Sequence, residues 1–208
     1  MKWFLALAPL AAAAPALQPI ELGDVPPAGQ VTIRGVSYGG TGCPQGTLSS
    51  YISNDRTIVT IIYDAYIASI GPGIAITESR KNCQLSVDIQ YPGGFQYSIL
   101  SADYRGYASL QKGVSGTLKS NYYFSGMQEQ SSTEYNFVGP LTGDYLKSDK
   151  ADSTSIVWSP CGADGNLNIN SQVRLSSTDS KATGLLTTDS TDLKFSQVVY
   201  VQWQKCTK

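Results

Sequence analysis

The 208-residue chain contains no histidine. A serine or cysteine nucleophile therefore has no imidazole to take its proton. The usual imidazole-built zinc and copper spheres have no ligands either. N-glycosylation acceptors are missing too: Asn54 is followed by Asp-Arg and Asn170 by Ser-Gln, and no other asparagine starts an Asn-x-Ser/Thr triplet. A basic excess is absent, since 15 Lys and Arg stand against 16 Asp and Glu. With no basic–aromatic cluster to offset that balance, nucleic acid and anionic membrane surfaces are excluded as partners. Beyond residue 16 no apolar run could span a bilayer, and the C-terminal end is polar, so no membrane anchor is expected. No stretch carries a long 3.6-residue apolar period, which argues against helical architecture.

What is present begins with MKWFLALAPLAAAAPA. A positive start at Lys2, an apolar run from Trp3 to Ala14 and the small residues Ala14 and Ala16 around Pro15 have the form of a cleaved secretory signal. Residues 1–16 are assigned to it, residues 17–30 to an extended proline-rich lead-in, and residues 31–208 to a single domain. About 190 residues then remain, enough for one sizeable core. Loss of Lys2 moves the formal charge from −1 to −2. Four cysteines in a secreted chain read as two disulfides. Three pairings are open, and the sequential one, Cys43–Cys83 with Cys161–Cys206, is the expectation. None of the four has the CxxC or zinc-type spacing of a redox or metal site.

Strand-like runs rich in Val, Ile, Thr and Tyr recur near 31–38, 57–67, 83–91, 94–106, 116–125, 133–141, 154–159, 166–175 and 194–205. Glycine, asparagine, aspartate and serine punctuate them. The fold class expected is all-β: an antiparallel β-sandwich with Greek-key or jelly-roll-like connections. Alternation places Cys83, Leu85, Val87, Ile89 and Tyr91 on a core face, and likewise Leu167, Ile169, Val173 and Leu175. Their outward counterparts Asn166, Asn168, Asn170 and Gln172 form a row of amides ending at Arg174. Trp158 and Trp203 are expected in the core. The Ser/Thr-rich stretches 147–155 and 176–193 read as surface loops, with O-linked sugar as an alternative.

Two chemistries survive without histidine. Glycoside hydrolysis needs two carboxyl groups roughly 5 to 10 Å apart. Among Asp64, Glu78, Asp88, Asp103, Glu129 and Glu134, Asp64 stands out as an acid on an otherwise apolar run, with Asp103 second; a salt bridge is the bland alternative for each. Lyase-type proton abstraction would draw on Tyr104, Tyr107, Arg105 and Lys112. The Gly35-Val36-Ser37-Tyr38-Gly39 match to a nucleophile elbow is discounted, because a glycine-rich turn follows instead of a helix. No metal or cofactor is expected, because the loop aspartates Asp149, Asp152, Asp164, Asp179, Asp189 and Asp192 lack calcium-loop spacing and suit turns.

The segment SADYRGYASL, residues 101–110, carries the densest chemistry. Apolar residues fall at the odd positions Phe95, Tyr97 and Ile99, and then at the even positions Leu100, Ala102 and Tyr104. A β-bulge between Ile99 and Leu100 would produce that slip, and so would a strand covered on both faces there. It sets Asp103 and Arg105 on one face, in an ion pair or cross-strand network, with Gly106 letting the chain turn.

Gly40-Thr41-Gly42-Cys43-Pro44-Gln45-Gly46, Asn82-Cys83-Gln84-Leu85, Asp103-Tyr104-Arg105-Gly106-Tyr107, Tyr122-Tyr123-Phe124-Ser125-Gly126 and Pro160-Cys161-Gly162 resemble a family of secreted proteins. That family, domain of unknown function 4360, occurs in filamentous fungi and some bacteria. The resemblance runs from about Val31 to Cys206 and implies a secreted, two-disulfide domain in a fungal extracellular setting. It carries over no catalytic residues. The expectation is a secreted, non-enzymatic monomer that binds an extracellular polysaccharide or a host surface component. Arg105, Tyr104, Tyr107, Asn168, Asn170 and Gln172 are its candidate contacts. A carbohydrate-active enzyme and a structural wall protein are the alternatives.

Overall fold

In the computed structural model the described residues are 25–27, 29–150, 156–162, 165–187 and 195–206. The residues expected to form a signal, most of those expected to form a lead-in, and Asp152, Asp164, Asp189 and Asp192 lie outside them. Among the described residues twelve strands form, with one 3-10 turn at Ile76–Ser79. They are β1 (Thr32–Gly39), β2 (Leu48–Ile52), β3 (Ile58–Tyr63), β4 (Ala68–Ile70), β5 (Arg80–Gln90), β6 (Phe95–Leu110), β7 (Val114–Phe124), β8 (Gln130–Val138), β9 (Leu141–Lys150), β10 (Gly165–Ser177), β11 (Gly184–Thr187) and β12 (Phe195–Lys205).

The strands make an antiparallel sandwich. One sheet has the order β1-β5-β10-β7-β8, and the other β2-β3-β12-β6-β11-β4 with β9 on the free side of β6. The short connections β6–β7 and β8–β9 each carry the chain from one sheet to the other. Period-two alternation drives this arrangement. Leu85, Val87 and Ile89 from β5, Leu118, Tyr122 and Phe124 from β7, and Leu167, Ile169 and Val173 from β10 are buried together. They meet Val59 and Ile61 from β3, Tyr97, Ile99, Ala102 and Tyr104 from β6, and Val199 and Val201 from β12. Removing this apolar surface from water is the main stabilising term.

Both expected disulfides form. Cys43–Cys83 joins the glycine-rich turn after β1 to the core face of β5, and Cys161–Cys206 ties the approach to β10 to the end of β12. Two glycines of GTGCPQG, Gly40 and Gly42, are demanded by packing. A Cβ on Gly40, at φ 149°, would sit 2.2 Å from the Asn82 carbonyl oxygen, and one on Gly42 would sit 1.8 Å from the buried Tyr66 ring. The motif is a tight corner around a disulfide.

The β6 bulge is where the phase slip placed it. Tyr200 pairs with Ser101 and Val201 with Ile99, so Leu100 is the unpaired extra residue; it is exposed, and not on the apolar face with Ala102 and Tyr104 where the alternation set it. Several expectations are corrected. Gly106 does not end the strand; it pairs with Tyr145, and β6 runs on to Leu110. Residues 147–150 belong to β9 and 184–187 to β11, where loops were expected. β9 is held by backbone pairing to β6 and buries only Tyr145, and the four residues of β11 pair with β4 and β6. They therefore lack the apolar alternation that marks a strand in a sequence. Trp203 is buried, with its indole N–H donating to the Arg56 carbonyl. Trp158 is only half-buried, at an isolated bridge to Ser98.

Candidate functional site

The residues singled out in the sequence do not gather at one place. Asp103 and Arg105 point outward from β6 on the seven-stranded sheet, as the bulge requires. Asp103 is half-buried and accepts a 2.8 Å hydrogen bond from the Tyr200 hydroxyl on β12. That bond holds the Tyr200 proton above its ordinary range. Arg105 is exposed between Ser196 and Leu146 of the neighbouring strands, and Tyr107 is half-buried opposite Asp144. Tyr104 faces the other way. Its ring lies in the core and its hydroxyl meets Thr133, so it contacts no external ligand.

Asp64 is also corrected. β3 ends at Tyr63, and Asp64 is an exposed residue in the following bend, its N–H donating to the Thr47 carbonyl. The expected acid inside an apolar strand is therefore an acid just past its end. Thr60, Val198 and Asp103 share one cross-strand row, and Asp64 lies four residues beyond Thr60. At about 3.3 Å per residue and 4.8 Å per strand, the two Cα atoms are about 16 Å apart. A carboxylate pair needs roughly 5 to 10 Å. Other acids are engaged: Asp88 with Arg34 at 2.9 Å, Glu78 with Lys81 at 2.8 Å and Glu134 with Lys119 at 3.0 Å. The Lys119 ammonium, together with Asn136, holds the Glu134 carboxyl below its usual range.

The core contains a polar layer that composition concealed. Gln197 accepts from the Tyr63 hydroxyl at 3.2 Å and donates to Ser120 at 3.1 Å and to Tyr122 at 2.7 Å. Thr133 bridges Tyr122 and Tyr104, while Tyr66 bonds Ser171. Burial pushes the protons of Tyr63, Tyr66, Tyr104 and Tyr122 above the ordinary tyrosine range. These hydroxyls are structural links between the sheets. Sequence reading missed Gln197 because a single glutamine in an apolar strand does not reveal what it faces.

The amide row is real, and it is wider than β10. On the outer face of the five-stranded sheet, Asn168 aligns with Ser86 and Tyr123, Asn170 with Gln84 and Asn121, and Gln172 with Asn82 and Lys119. β10 is the central strand, so its amides continue into amides on both neighbours. Gln84 donates to the Tyr123 hydroxyl at 3.1 Å, orienting a half-buried ring within the field. Asn168 is the most covered member and donates to Ser125 at 2.9 Å. Asn170 is exposed at the centre. The candidate contacts thus divide: Asn168, Asn170 and Gln172 on this face, and Arg105 and Tyr107 on the outside of the opposite sheet.

An all-β sandwich with two disulfides and a polar outer sheet defines the class: a small secreted domain. The chain belongs to the family described as domain of unknown function DUF4360, whose model matches residues 29–206. It is 60% identical over 185 residues to an uncharacterized secreted protein of Arthroderma benhamiae, covering 89% of this chain and 76% of that one. This protein is secreted, and its disulfides suit an oxidising extracellular space. Among solved structures, the complex of TmCBM61 with beta-1,4-galactotriose is 9% identical, with 84% of this chain and 90% of that one covered and a TM-score of 0.27. Eiger TNF from S. frugiperda is 9% identical, with 59% and 67% covered and a TM-score of 0.26. At those scores neither likeness bears on what this face binds. No helix among the described residues is long and apolar enough to cross a membrane.

Proposed function

We propose that the outer face of the five-stranded sheet binds an extracellular polysaccharide. The observation that carries this reading is the continuous field of amides across β5, β10 and β7, from Asn82 and Gln84 through Asn168, Asn170 and Gln172 to Asn121, with Tyr123 set within it. A sugar presents hydroxyls that both donate and accept, on a ring with an apolar face. A side-chain amide offers a donor and an acceptor in one plane, and a tyrosine ring offers an apolar surface with a polar tip. Cross-strand rows repeat at about 4.8 Å between strands, so a chain of sugars meets successive groups without any loop having to close over it. The surface stays open, which suits binding along a polymer rather than sequestering a small substrate.

The test is equilibrium binding to a panel of soluble wall polysaccharides and pull-down on insoluble wall fractions. Asn170→Ala combined with Tyr123→Ala should weaken binding at least tenfold. Arg105→Ala, on the opposite sheet, should leave it unchanged. Failure of the wild-type protein to bind any member of the panel sinks the reading, as does a double variant that binds like wild type.

A further inference from the structure

The amide field ends in a pair of arginines that no carboxylate among the described residues neutralises. Arg174 on β10 stands directly opposite Arg80 on β5, and both are exposed. Like charges facing each other across a strand pair are unfavourable. The other described cations around this face have acids: Arg34 has Asp88, Lys119 has Glu134 and Lys81 has Glu78. Glu78, the acid nearest Arg80 in sequence, is therefore already taken. Arg80 makes only a 3.3 Å hydrogen bond to the Gln172 side-chain oxygen. Among the described residues neither guanidinium has an ion-pair partner.

Both arginines line a groove of about 730 Å³ between the end of the sheet and the 3-10 turn. Its wall adds hydroxyls from Thr41, Thr77, Ser176 and Ser177, with Ile76 beside them 78% exposed. The neighbouring amides are turned to donate. Asn82 spends its oxygen on the Thr41 hydroxyl at 2.9 Å, leaving its NH2 group, and Gln172 spends its oxygen on Arg80. The end of the row is thus rich in donors and positive in charge, within a chain of net charge −1. Two guanidinium forks side by side match the oxygens of one carboxylate, sulfate or phosphate group.

We infer that Arg80 and Arg174 form an anionic subsite, so that the polysaccharide bound along the amide row is an acidic one. The inference rests on the reading of that row for the polymer, whereas the subsite itself rests on the arginine pair. An acidic substituent sits between the guanidinium groups and relieves their mutual repulsion. The adjoining sugars lie over Gln172, Asn170 and Asn168.

The experiment compares polygalacturonate with its fully methyl-esterified form, a matched pair differing in charge, at physiological salt. Wild-type protein should bind the acid form at least tenfold more tightly. Arg80→Gln and Arg174→Gln should each reduce that preference severalfold, and the double variant should abolish it. Arg105→Gln, which removes the same charge from the opposite sheet, should retain it. Dextran sulfate against dextran is the second arm; a preference there that exceeds the uronate preference, with the same loss in the double variant, assigns the subsite to sulfate esters. Equal binding of charged and neutral polymers, or a preference that survives the double variant, overturns the subsite. If such equal binding still falls in the Asn170→Ala, Tyr123→Ala protein, the amide row stands without it. If no polymer binds, yet galacturonate or inorganic sulfate shifts the side-chain NMR signals of Arg80 and Arg174, the subsite stands and the amide-row reading fails. No shift and no binding remove both.

Discussion

Replacing Gln197 with methionine keeps the length of the side chain and removes its polar head from the middle of the sandwich. Gln197 is fully buried and makes three hydrogen bonds, to Tyr63, Ser120 and Tyr122. A hydrogen bond in a dry interior contributes a net ~1 kcal/mol, so the loss of all three costs about 3 kcal/mol. For a domain of this size, each kcal/mol lowers the melting temperature by about 2–4 °C, so a fall of about 6–12 °C is expected. Urea unfolding followed by tryptophan fluorescence should show a lower midpoint with an unchanged slope. The 2.7 Å bond to Tyr122 should appear as coupling. In a Tyr122→Phe background, Gln197→Met should cost about 1 kcal/mol less than it does alone. A single-variant loss below about 1 kcal/mol, or strictly additive costs, would refute the claim that this layer holds the sheets together.

Two further outcomes follow from the interior. Serine at both Cys161 and Cys206 opens a loop with a sequence separation of 45. The chain-entropy model puts the cost at about 4 kcal/mol, measured as a drop in unfolding free energy without reductant, and a loss under about 1 kcal/mol would contradict it. Alkaline stability is set by the buried tyrosines. Tyr63, Tyr66, Tyr97, Tyr104, Tyr122 and Tyr145 all have protons held above the ordinary value of 10.0 by burial. The folded protein keeps those protons while the unfolded chain releases them, so stability is full below about pH 10 and declines as the pH rises further. Phenolate absorbance from these six should appear together with the loss of near-ultraviolet circular dichroism. Their ionisation in a protein that still shows native dichroism would contradict the burial argument.

Local alternation was enough to establish the all-β class, the facing of β5 and β10, and the bulge at Leu100. A period-two pattern is a property of the strand itself, and a one-residue slip moves every later side chain to the other face. The disulfide partners followed a sequential expectation, which the positions of Cys83 on β5 and Cys206 at the end of β12 made possible in space. β9 left little trace, because β6 supplies its hydrogen bonds and only Tyr145 of its side chains is buried, and β11 is four residues paired to β4 and β6, too short for a period to show. Asp103 and Arg105 lie two residues apart in the chain but face away from the sheet that carries the amides. Gln84, Asn121 and Tyr123 joined Asn170 only because β5 and β7, which flank it, are distant in sequence and adjacent in the sheet. The same pairing set Arg80 against Arg174. The sequence by itself determined which side chains of each strand face water; only the tertiary structure decided which strands lie side by side, because strand order depends on long-range pairing that no local pattern encodes.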